Sequence, residues 1–176
     1  MGSALTRRII GIDPGLSGAV AVIDVVENGH ARVRPSYRVW DTPTVEVLKG
    51  KKKRREYDIP TMHQLLMSAL LEPNPSDQMC AVIEQCSPRP GEGVVSSFRL
   101  AAGFWIWWTL LTVSQVPRWQ VHPAVWKRKQ GLIGGDKNLS RMVAQQRFPL
   151  ADLARVKDHG RAEALLIADY GRQQNW

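Results

Sequence analysis

Ile9-Ile10-Gly11-Ile12-Asp13-Pro14-Gly15-Leu16-Ser17-Gly18-Ala19-Val20-Ala21-Val22-Ile23-Asp24 sets two β-branched runs on either side of a Pro/Gly/Ser/Gly turn. The pattern predicts two neighbouring buried strands folded back as a hairpin. Asp13 then closes the first strand beside a tight turn. A carboxylate ending an apolar strand is costly unless it is hydrogen-bonded or holds a cation. Asp13 is therefore either a turn-stabilising Asx residue or a metal ligand.

Around this stretch, 176 residues with 44% hydrophobic content suit one well-buried domain, residues 1–176, and are short for two. The 24 Lys and Arg against 16 Asp and Glu give a formal net charge of +8, which favours an anionic partner, nucleic acid first. Cys80 and Cys86 stand inside one predicted strand and at its exit, poor geometry for a disulfide, so free thiols in a reducing compartment are expected. No secretory pattern precedes Arg7-Arg8, and no leader is expected. The apolar stretch Leu100 to Val113 is shorter than a membrane span and predicts a buried helix.

Ala31 to Trp40 alternates well enough for a third, edge-like strand, giving an antiparallel meander. Lys49-Gly50-Lys51-Lys52-Lys53-Arg54-Arg55 is too densely like-charged to fold by itself, which predicts a cationic loop in contact with a phosphate backbone. Met62, Leu65, Leu66, Ala69 and Leu70 recur at helical spacing before Pro73. Met79-Cys80-Ala81-Val82-Ile83 is then a short apolar strand that again ends in a carboxylate, Glu84. Fed by a helix, this strand is predicted parallel to the first, so Asp13 and Glu84 meet at the carboxyl edge of the sheet.

Gln85 to Gly93, with Arg89, forms a loop leaving that edge. The helix Val94–Val113 carries Phe98, Phe104, Trp105, Trp107 and Trp108, apolar on nearly every face; its second side is either core or a homodimer interface. Arg118 to His122 predicts a last strand, and Trp126-Lys127-Arg128-Lys129 sets basic residues beside an aromatic, suited to DNA or RNA. A helix from Lys137 to Phe148 carries Lys137 and Arg141 in its first turn. The preceding glycines lack the GxxxxGK[ST] order of a phosphate loop. Asp158 is placed to cap a last helix through Tyr170, with His159 and Glu163 four apart on one face.

Hard oxygen donors with at most one imidazole and no cysteine pairing point to Mg²⁺ or Mn²⁺, with Asp13, Glu84, Asp158 and Glu163 as the cage. On a basic protein such a cluster is useful when divalent cations neutralise it before a polyanion arrives, as two-metal phosphodiester hydrolysis requires. His159 is a candidate to support a ligand or move protons, and Lys137 to offset charge on the phosphorus.

Ile10-Gly11-Ile12-Asp13-Pro14-Gly15 with Gly18-Ala19, then Val82-Ile83-Glu84-Gln85, then Lys157-Asp158-His159-Gly160-Arg161-Ala162-Glu163-Ala164-Leu165-Leu166-Ile167-Ala168, resembles the RuvC-type Holliday-junction resolvases. With Asp41-Thr42-Pro43, Trp126-Lys127 and Phe148-Pro149, the resemblance runs from about residue 8 to 172 and is closest to the chloroplast and phage-like branch. It implies an α/β RNase H-like fold, a mixed five-stranded sheet flanked by helices, and a homodimer that cuts opposed strands of a four-way DNA junction. It likewise implies two Mg²⁺ ions on Asp13, Glu84, Asp158 and Glu163. Lys137, and Lys127 with it, would lie beside the cleaved phosphate, and Val94–Val113 at the dimer interface. Lys51, Lys52, Lys53, Arg54, Arg55, Arg89, Lys127, Lys129, Lys137 and Arg141 are the expected DNA contacts.

Two positions depart from the bacterial members. Gly160 stands where they commonly carry the first of two aspartates on the last helix, so Asp158 or His159 would supply the fourth ligand. Ser87 stands where an aromatic residue often follows the second carboxylate. The Gly-Ile-Asp start also opens phosphate-binding hairpins of sugar kinases and actin-like ATPases, which need a much longer chain. A binding module without catalysis would shed carboxylates kept here. The competing reading is an RNase H-like nuclease acting on RNA or other branched nucleic acids, for which a monomer would argue. The expected compartment is a bacterial or phage-host cytoplasm, or a chloroplast stroma after removal of a transit peptide, with no membrane association.

Overall fold

In the computed structural model the described residues are 5–28, 31–32, 35–71, 78–87, 91, 93–134 and 137–174. The first β-branched run forms β1 (Leu5–Asp13) and the second β2 (Ala19–Asn28), antiparallel in register from Leu5 opposite Glu27 to Asp13 opposite Ala19. The turn between them closes with the Gly18 N–H on the Gly15 carbonyl at 2.9 Å. The outer edge of β2 pairs with β3 (Ala31–Arg32) and then β4 (Ser36–Asp41), so the predicted third strand occurs in two pieces at one sheet position.

The basic run corrects the sequence reading. It is no loop: β5 (Thr44–Lys49) and β6 (Lys52–Tyr57) form an antiparallel hairpin, with Gly50 at φ +64° in its turn. Acidic residues hidden among the cations make this pairing tolerable: Lys53 Nζ lies 3.2 Å from Glu46, and Lys49 Nζ 2.7 Å from Glu56. Each exposed pair contributes only about 0–1 kcal/mol, but together they relieve like-charge repulsion along the strands. The hairpin is also fastened to the first turn, because Arg55 donates to the Leu16 carbonyl at 2.6 Å and the Tyr57 hydroxyl lies 3.1 Å from the Pro14 carbonyl.

Helix α1 (Ile59–Leu71) buries Met62, Leu66, Ala69 and Leu70 of the predicted stripe and leaves Leu65 half-buried. It leads towards β7 (Gln78–Glu84), which runs parallel to β1 with Ile12 beside Ile83. After α2 (Val94–Val113), β8 (Arg118–Val121) adds parallel to β7. Helices α3 (Pro123–Lys129), α4 (Lys137–Arg147) and α5 (His159–Gln173) complete the chain. The sheet order β3/β4, β2, β1, β7, β8 is the mixed five-position sheet expected of an RNase H-like fold.

Strand alternation sorts the core into two layers. Ile10, Ile12, Ala81 and Ile83 pack with α1 and α2, whereas Ile9, Cys80 and Val82 pack beneath α5 with Trp126 and Phe148. Gly11 belongs to the second face, and a Cβ there would overlap the Ala164 carbonyl oxygen and the Ala168 amide nitrogen. Gly11→Ala should therefore cost more than the roughly 1–3 kcal/mol usual for overpacking, read as a lowered urea midpoint. An unchanged midpoint would show that α5 can lift from the strand.

Helix α2 is buried along one side only, so its second side is not core of this chain. Gly103, Phe104, Trp107, Leu110 and Leu111 are buried against the sheet, but Phe98 is 73% and Trp105 61% exposed. Its 20 residues are long and apolar enough, by length and composition, to cross a membrane. Both cysteines are free, Cys80 buried and Cys86 half-buried.

Candidate metal and phosphodiester site

Because Ile12 pairs with Ile83, the next step of that parallel ladder sets Asp13 alongside Glu84, at neighbouring strand ends. Both follow the alternation that points Gly11 and Val82 towards α5. The helix crosses directly above. A Cβ on Gly160 would meet Ser17 and Gly18, and one on Gly11 would meet Ala164, so the first turns of α5 lie over the carboxyl end of β1. Glu163 sits between those contact points.

Three carboxylates thus share one field. Burial, then the charges of Glu84 and Glu163, push the Asp13 carboxyl up from 3.8 to about 7; the Gly15 amide and the Lys127 ammonium pull the other way. Asp13 also accepts a hydrogen bond from that amide at 3.3 Å, so it is an Asx residue as well as a member of the cluster. Glu84 is buried and accepts from the Trp126 indole N–H at 2.8 Å. Glu163 is held by Lys127 Nζ at 3.0 Å and by the Ser140 hydroxyl at 3.3 Å.

Asp158 stays outside this group. The sequence reading made it the cap of α5, but its carboxylate makes no capping bond to the helix. The Arg155 backbone N–H at 2.8 Å and Nε at 2.7 Å hold it instead, a charge-assisted pair stronger than neutral helix amides offer. Burial alone would raise its carboxyl, and Arg155 outweighs that, keeping it below the usual carboxylate value. Asp158 lines a separate cavity of about 210 Å³ with Ser17, Asp41, Arg155 and Lys157. His159, half-buried, begins α5.

The donor chemistry fits a hard divalent cation: three carboxylates of concentrated negative charge, with no thiol among them. The side chains themselves are engaged elsewhere. Among the described residues no group of three or more His, Cys, Asp or Glu is drawn into a metal-holding arrangement. Glu163 faces Lys127 and Glu84 faces Trp126, so the cluster is poised around protein cations and donors.

The expected DNA contacts fall into separate places. Lys51 to Arg55 are exposed on the hairpin, and Lys129 is exposed at the end of α3. Lys127 pairs with Glu163, while Arg141 reaches the Ala154 carbonyl at 3.4 Å. Arg89 and the Lys137 side chain lie outside the described residues.

Trp126 has a role that sequence reasoning missed. Noted only as the aromatic beside a basic run suited to DNA or RNA, it is fully buried and its N–H is spent on Glu84. The available cue was position: α3 follows the strand that pairs with the one ending in Glu84. Trp126→Phe keeps most of the ring and removes the donor. The expected loss is about 1.5–3 kcal/mol for a hydrogen bond to a charged group, measured as a urea-midpoint shift. No shift would mean that Glu84 holds its place without the indole.

No family model matches the chain, and no curated protein matches it in sequence. Among solved structures it is similar to RuvC of Thermus thermophilus in complex with a Holliday junction substrate, at TM-score 0.56 and 13% identity over 95% of this chain and 96% of that one. A second structure of Thermus thermophilus RuvC is similar at TM-score 0.56 and 15% identity, over 96% of each chain. The fold is therefore RNase H-like. Within that class its arrangement is the one seen in RuvC.

Proposed function

We propose that this chain is a metal-dependent DNA endonuclease that resolves four-way junctions as a homodimer, of the chloroplast and phage-like branch of RuvC-type enzymes. The observation that carries the reading is the meeting of Asp13 and Glu84 at adjacent strand ends beneath Glu163, on a chain of net charge +8. Asp13, Glu84 and Glu163 would hold two Mg²⁺ ions, Mn²⁺ substituting, with His159 as fourth ligand, or Asp158 once released from its pair with Arg155. Bound metal supplies an activated water and neutralises charge on the leaving oxygen.

The chain's own groups do the rest. Lys127 stands at Glu163, from which its ammonium can turn to a phosphate oxygen; Lys137, at the start of α4, is assigned the same neighbourhood. Lys51 to Arg55, with Arg89, Lys129 and Arg141, grip the backbone by charge, which sets affinity more than sequence preference. Helix α2 pairs two copies through its exposed face, matching two equivalent strands of a junction.

The test is Mg²⁺-dependent cleavage of a synthetic four-way junction beside linear duplex, flap and RNA substrates. Paired symmetric nicks confined to the junction support the resolvase. Cleavage of RNA, or of every substrate, overturns it in favour of a general RNase H-like nuclease, and binding without cleavage makes the chain a recognition module.

A further inference from the structure

Between the basic hairpin and α2 runs a groove of about 390 Å³ that the carboxylate site does not use. Its rim is cationic: Lys49, Arg54 and Arg55 from the hairpin and Arg99 from α2. Its walls are apolar, with Leu16, Ile59, Val95 and Ile106, and Tyr57 supplies one aromatic ring among the lining residues. Glu56, the one acid among them, is matched by Lys49 at 2.7 Å.

The groove adjoins the candidate site through the chain itself. Leu16 lies three residues beyond Asp13 in the same turn, and its carbonyl is held by Arg55. The Tyr57 hydroxyl lies 2.9 Å from the Arg99 carbonyl and 3.1 Å from that of Pro14, so hairpin, α2 and the Asp13 turn meet at this one oxygen. An occupant would rest within a few residues of the carboxylates.

We propose that this groove receives a single unpaired nucleotide of the DNA strand beside the cut, its base against the apolar walls and its phosphates on Arg54, Arg55 and Arg99. The inference rests on the nuclease reading and names a part of its substrate. A duplex shows phosphates outward and gives apolar walls nothing to cover, and the groove has the volume of a small-ligand pocket. A basic channel with apolar and aromatic walls is the composition that holds single strands, whose bases stack on such walls. An acidic peptide would satisfy the rim but leave the walls unused.

The experiment measures binding of fluorescent hexathymidylate to the full chain by anisotropy, with hexaglutamate as competitor. Two substitutions fill the groove from different elements, Ile59→Trp on α1 and Ala102→Trp on α2; both positions are exposed, and circular dichroism checks their fold. Each is expected to weaken hexathymidylate binding at least tenfold, while hexaglutamate at equal concentration displaces little of it. Unchanged affinity in both folded variants overturns the subsite, and equal displacement by hexaglutamate reassigns the groove to peptide. The readout does not depend on junction cleavage. A chain that binds hexathymidylate in the groove but cuts no junction fails the functional reading alone, and one that cuts junctions with the groove filled and its hexathymidylate affinity intact fails this inference alone.

Discussion

Asp13→Asn is expected to abolish junction cleavage and, in the absence of divalent cations, to make the chain more stable at pH 8 than the wild type. The two effects share one cause. Asp13 sits among Glu84 and Glu163 with its carboxyl pushed up to about 7. Its folded value therefore stands above its unfolded value of 3.8, so the folded chain holds that proton more tightly than the unfolded one. The stabilisation is complete below about pH 4 and is lost as pH rises through about 7. A shift of about three units corresponds to at most about 4 kcal/mol. Asparagine carries no charge and escapes that loss, but it also removes a metal donor, so cleavage should fall on the order of a thousandfold or more. Urea midpoints in EDTA at pH 5 and pH 8, and junction cleavage in Mg²⁺, read both. Mg²⁺ should raise the wild-type midpoint at pH 8 and leave that of the variant unchanged. Full cleavage by the variant would remove Asp13 from the metal set.

Phe98→Glu combined with Trp105→Glu should convert the chain to a monomer without unfolding it. Both side chains are largely exposed, and the residues that hold α2 to the sheet lie on its other side, at Phe104, Trp107, Leu110 and Leu111. A helix with one apolar face in the core and another outside needs a cover, and a second copy supplies the same face in return. Sedimentation should give a dimer for the wild type and half that mass for the variant. The variant should retain its thermal transition, lose paired nicking of a junction, and keep at most isolated cuts. A wild type that sediments as a monomer at micromolar concentration would withdraw α2 from the interface and favour the RNA-directed alternative.

The strands and the long helices were legible because burial leaves a period in the sequence. Ile9 to Ile12 and Ala19 to Ile23 are apolar throughout, so a strand buried on both faces was the reading, and both carboxylates stood out by ending such runs. The meeting of Asp13 and Glu84 followed from parallel pairing alone. Charge patterns were less informative. In the run Lys49 to Arg55 the cations are adjacent in sequence, whereas their partners Glu46 and Glu56 come within reach only once the hairpin exists. Asp158 does stand at the N-cap position of α5, but its carboxylate does not cap, for a related reason: the competing Arg155 pair depends on a turn that no propensity announces. Trp126 and Lys127, adjacent in sequence, read as one basic aromatic patch; one faces a buried glutamate and the other a half-buried one.

The glycine contacts beneath α5 have a consequence for how this protein can vary. Gly160 meets the turn at Ser17 and Gly18, Gly11 meets the backbone of Ala164 and Ala168, and Gly171 meets Val82 and Ile9. Two of these three contacts are backbone against backbone, and they fall at both ends of Glu163. The height of that glutamate over the strand ends is thus set by main-chain geometry, which amino-acid replacement in the surrounding core does not rewrite. Substitutions among Leu165, Leu166 and Ile167 can change how firmly the helix is held while Glu163 keeps its station. Stability and site geometry are decoupled there, and sequences can drift far apart around a fixed constellation.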